Sequence, residues 1–75
     1  MLYFVHIREG AWIVRDEEGL ECADLVSARA ELHASARDLL AAALRDRTAT
    51  NGQILELADA QGVVLERFAV RSLLH

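Results

Sequence analysis

Residues 24–47 read DLVSARAELHASARDLLAAALRDR, the one long segment of the chain with a helical period, and the fold turns on it. At about 100° per residue, Leu25, Ala28, Leu32, Ala36, Leu39, Leu40 and Ala43 fall on one side, the stripe a helix buries against a sheet. Ala30, Ala34 and Ala41, with the charged Glu31, Asp38 and Arg45, fall on the other. Asp24 stands just before the stripe, where its carboxylate can accept from the free amides of a first helical turn, so it is the expected N-cap. After Arg47 the run Thr48-Ala49-Thr50-Asn51-Gly52 is polar and ends in a turn dipeptide, which predicts that the helix stops before it.

The flanks of this helix read as strands. Leu2 to Ile7 is rich in aromatic and β-branched residues, Arg8-Glu9-Gly10 is a turn signal, and Ala11 to Val14 reads as a return strand. Asp16-Glu17-Glu18-Gly19 has the acid-first, glycine-fourth pattern of a type I turn. Beyond the helix, Gln53 to Ala58 and Val63 to Val70 flank Asp59-Ala60-Gln61-Gly62 and predict a second hairpin. The tail Arg71 to His75 either extends the last strand or turns back over the core. The expected class is therefore α+β: a single domain over residues 1–75, with a four-stranded, mainly antiparallel sheet and one long helix on one face, in the order β-β-α-β-β.

A helix covers only one face of a sheet. Leu2 and Phe4 alternate with Tyr3, Val5 and Ile7, so the first strand is apolar on both sides. Seventy-five residues bury about 60% of their unfolded surface, a small return for one core. Self-association through the uncovered face or an exposed edge is the expectation, with Tyr3, Val5 and Ile7 as its candidate residues. Trp12 and Phe68 are expected as core or interface anchors in a chain with four aromatic residues.

Composition narrows the function classes. All eight basic residues are arginine, which excludes Schiff-base lysine chemistry and the lysine of a phosphate-binding loop. A net charge of −4 argues against non-specific nucleic-acid binding. The lone Cys22 forms no intrachain disulfide, and Met1 to Ile7 lacks a basic leader and a cleavage site. A cytoplasmic protein without a membrane span is expected.

Asp16, Glu17, Glu18, Glu21 and Asp24 crowd five carboxylates together, but their spacing departs from a calcium loop, and a solvated turn before a helix N-terminus accounts for them without a metal. His6, His33 and His75 lack zinc-motif spacing. Nothing local joins Cys22, His6 and Asp24 into a nucleophilic set, so no catalytic, cofactor or metal residue is expected. Arg29, His33 and Arg37 recur along one helix flank. Arg29 lies close to the apolar stripe, and a structural ion pair with Glu18 or Asp16 is its expected role.

Three stretches carry a family resemblance: Tyr3-Phe4-x-His6-x-Arg8-x-Gly10, Asp16-Glu17-Glu18-Gly19, and Asp24-Leu25-x-x-Ala28-Arg29-x-Glu31. Together they resemble a family of short bacterial proteins classed as a domain of unknown function, over nearly the whole chain. Where that family continues with a small apolar residue, this chain has Leu32. The resemblance implies a single compact domain and assigns no activity, cofactor or site residue. The functional expectation is a non-enzymatic protein-interaction or regulatory module, acting as a homodimer or with an unidentified protein partner. The alternative is a nucleic-acid-associated regulator that uses the Arg29, His33 and Arg37 flank.

Overall fold

The computed structural model describes residues 1–48 and 52–74. The chain runs β1 (Leu2–Glu9), β2 (Trp12–Val14), β3 (Leu20–Glu21), α1 (Leu25–Asp46), β4 (Gln53–Asp59) and β5 (Val64–Ala69), and closes with a 3-10 turn, Val70–Leu74. The strands form one antiparallel sheet in the order β2-β1-β4-β5, with β3 also paired to β1. The expected hairpin, helix, hairpin order is present, with β3 added as a fifth strand.

Asp24 caps α1: its Oδ1 accepts the Ser27 amide at 2.8 Å. The far end closes at Arg47, whose left-handed backbone (φ 55°) turns the following amide, that of Thr48, back onto the Ala43 carbonyl at 2.9 Å. The helix thus stops before the polar run as predicted, with Thr48, the first residue of that run, closing its last turn, while residues 49–51 lie outside the described part. Ala28, Leu32, Ala36 and Ala43 are buried, and Leu25, Leu39 and Leu40 pack against the same core, so the stripe is the buried face.

β1 and β4 form the centre of the sheet, and register assigns the faces. Val5 pairs with Leu57 and Ile7 with Leu55, and paired residues share a face. Leu55 and Leu57 are fully buried under the helix. Tyr3, Val5 and Ile7, expected on the uncovered side, therefore lie on the helix side, Tyr3 buried and the other two half-buried against the core. The side without a helix carries Phe4, His6, Arg8, Ile54, Glu56 and Arg67. Of the two alternatives for the tail, it turns back: Val70 is buried, Leu73 packs on the core, and the 3-10 turn lies against α1.

β2 and β3 are two parts of one interrupted strand. Ile7 pairs with Val14 and Tyr3 with Leu20, so residues 15–19 span what three β1 residues span opposite. The surplus loops out, and Asp16 replaces the missing ladder. Its Oδ2 accepts the Val5 amide at 3.2 Å, and its Oδ1 accepts the Glu18 and Gly19 amides at 3.2 and 3.0 Å. The Asp16 amide in turn donates to His6 Nδ1. Gly19 returns the chain to β1 at φ 78°, so close that a Cβ there would stand 2.8 Å from the Phe4 ring.

Candidate functional site

α1 packs chiefly on β4, β5 and the 3-10 turn, and so leans away from the β2 side of the sheet. The strip of β1 left beside it is the floor of a groove of about 440 Å³. Val5, Ile7 and Leu55 form that floor, Leu39 of α1 one wall, and Asp16, Gly19 and Leu20 the other. Glu31, Ser35 and Asp38, at helical spacing on one flank of α1, form a polar rim. The volume suits a bulky side chain or small ligand, and an apolar floor with a few polar groups is the usual make-up of a binding site.

The three carboxylates that line the groove differ in their commitments. Burial pushes the Asp16 carboxyl up, but the Gly19, Val5 and Glu18 amides and the nearby His6 outweigh it and leave the group below the usual carboxylate range. Asp16 is thus a structural anion that already accepts three backbone amides. Glu31 and Asp38 are exposed and form no ion pair among the described residues.

Beside the groove, on the same side of the sheet, stand Trp12 and Val14. Val14 pairs with Ile7 and Trp12 with Glu9, which carries the face of Val5 and Ile7 outward along β2. Trp12 is 80% exposed and Val14 64%. Trp12 is therefore no core anchor. Phe68 is half-buried and meets the His33 ring at 4.7 Å.

The other residues singled out from the sequence are dispersed. Arg29 pairs with Glu66 of β5 (2.8 Å), not with Glu18 or Asp16, since α1 carries it over β5 and away from the acidic loop. His33 meets the same Glu66 at 3.4 Å, so two of the three residues of the basic flank already face an acid. Cys22 is a buried free thiol, His6 accepts from the Asp16 amide and Asp24 caps α1, so each of the three is engaged separately. Among the described residues no three His, Cys, Asp or Glu side chains converge as metal ligands, and no helix is long and apolar enough to cross a membrane. His75 lies outside the described residues.

Sequence reasoning missed Glu56. It is buried on the side of the sheet without a helix, and its Oε2 accepts from Arg67 Nε at 2.9 Å and Arg8 Nε at 3.1 Å. Burial raises its pKa, but the hydrogen bonds and charges of Arg67 and Arg8 prevail and hold it ionised below the usual range.

No curated protein and no solved structure was found to match the chain. A family model does match, that of a domain of unknown function (DUF6894), over residues 2–71. That span takes in every strand, α1, both walls of the groove and the Arg8, Glu56 and Arg67 cluster, and the chain belongs to this family of domains of unknown function.

Proposed function

We propose that the domain is a non-catalytic protein-interaction module that works as a homodimer, with the groove between α1 and β1 as its recognition surface. The observation that carries this reading is the exposure of Trp12, the only tryptophan, on the face that continues the groove floor. An indole left in water forfeits the largest apolar burial a side chain offers, and tryptophans in this setting are typical interface anchors. Each copy then presents both a projection, Trp12 with Val14, and a cavity. Under two-fold symmetry the indole of each copy enters the groove of the other.

Charge supports the same pairing. Arg15 follows Val14 directly, is exposed and forms no ion pair among the described residues, while the groove rim carries the free Glu31 and Asp38. Insertion of Trp12 brings Arg15 toward those acids. Val5 and Ile7 keep a part in the contact as the groove floor, whereas the buried Tyr3 does not. The buried free thiol of Cys22 fits a reducing, cytoplasmic setting.

Intrinsic fluorescence tests this directly, because one tryptophan gives the whole indole signal. The emission of a dimer is that of a buried indole and shifts to the red on dilution. Red, concentration-independent emission from micromolar to millimolar protein would contradict it. Binding to single-stranded nucleic acid that falls steeply with salt, without self-association, would favour the nucleic-acid reading instead.

A further inference from the structure

The sheet face opposite α1 holds a charged cluster that the groove does not use. Register places Glu56 between His6 of β1 and Arg67 of β5, with Arg8 two residues further along β1. The Glu56 side chain is 3% exposed, against 43% for Arg8 and 63% for Arg67. Among the described residues no helix covers this side, and the arginine stems help to take the carboxylate out of water.

The manner of attachment matters. Both guanidinium groups are held through Nε, at 3.1 and 2.9 Å, on the same Glu56 oxygen. Their terminal nitrogens make no hydrogen bond to protein among the described residues, and each therefore keeps a planar N–H edge for a ligand. One carboxylate between two guanidiniums leaves a local surplus of positive charge in a chain of net charge −4. Fixing two long, flexible side chains in advance removes most of the ordering cost of binding an anion between them.

We propose that Arg8 and Arg67, positioned by the buried Glu56, form a binding site for the phosphate group of a small phosphomonoester. A tetrahedral phosphate has enough terminal oxygens to accept from both guanidinium edges at once, whereas a single carboxylate presents one edge. The net acidity of the chain works against a polyanion, which meets the whole molecular field, far more than against one phosphate meeting this pair. The site faces away from the groove and is independent of dimerisation.

Titration of isotopically labelled protein with inorganic phosphate and with glycerol phosphate, followed at the arginine Nε–H signals, tests the site. The expected result is saturable shifts at Arg8 and Arg67 that chloride at equal ionic strength does not reproduce. Arg67→Ala should weaken binding about tenfold, the loss of one charge-assisted pair. Glu56→Gln should also weaken it, although it makes the surface more positive, because the guanidinium groups lose their fixed placement. Arg67→Lys, which keeps the charge and removes the planar edge, gives the same test if Glu56→Gln does not fold. Non-saturable shifts, tighter binding by Glu56→Gln, unchanged binding by Arg67→Lys, or an equal loss in the distant Arg45→Ala would each overturn the site. So would an oligonucleotide that binds these arginines while phosphate and glycerol phosphate do not.

Discussion

The backbone amide of Asp16 donates to Nδ1 of His6 at 3.0 Å, while the Asp16 carboxylate accepts the amide of Val5, the residue before His6. This exchange pins the 15–19 loop to the edge of β1 where the ladder lapses between β2 and β3. It also sets one wall of the groove, so the acidic segment serves as architecture.

Removing the Asp16 carboxylate strands the Val5, Glu18 and Gly19 amides together. Asp16→Ala should cost about 1–3 kcal/mol in chemical denaturation, and Asp16→Asn, which keeps one acceptor, should cost less. A change in neither would mean that water replaces the carboxylate without loss.

Acid should unfold the protein through three carboxylates, the exposed helix cap Asp24, held low by the Ser27 amide, and two that are less exposed. Asp16 and Glu56 both titrate below their ordinary values when folded. Their stabilisation is therefore complete above the ordinary carboxylate range, near pH ~4, and is lost as pH falls through the lower folded values. Denaturant midpoints measured downward from pH 6 should fall in this window, and the slope should flatten in Asp16→Asn and in Glu56→Gln. An unchanged slope in both variants would assign the acid sensitivity to other groups.

Two substitutions separate the helix face from the loop. Leu32 is fully buried at the centre of the stripe, so Leu32→Ala should cost about 2–5 kcal/mol. Gly19→Ala adds a methyl group where the Phe4 ring, the Leu2 side chain and the Tyr3 carbonyl lie within 3.1 Å, at a positive φ, and should cost about 1–3 kcal/mol. Losses under about 0.5 kcal/mol would mean that these sites repack freely.

Local periodicity made α1, its Asp24 cap and both hairpins legible in the sequence, since each depends on residues close along the chain. The face of β1 was not legible. Leu2 and Phe4 are as apolar as Tyr3, Val5 and Ile7, and only the pairing with Leu55 and Leu57 decides which set meets the helix. β3 escaped because two residues carry no period. The sequence offers Arg29 only the acids near it along the chain, whereas its partner Glu66 stands 37 positions later. Glu56 reads alone as an ordinary polar strand position. An acid in one strand with arginines in both neighbouring strands is a signal that becomes visible once the register is known.

Sedimentation equilibrium of the wild type and of Trp12→Ala tests the central claim most directly. The wild type should fit a monomer–dimer equilibrium at micromolar concentration. Trp12→Ala should remain folded, because the exposed indole adds nothing to the core, and should sediment as monomer. Val5→Glu, which places a charge on the groove floor, should also abolish the dimer. Val63→Ala, at an exposed residue of the second hairpin, should dimerise like the wild type. A wild type that stays monomeric at millimolar concentration, or a Trp12→Ala variant that dimerises as tightly as the wild type, would contradict the account.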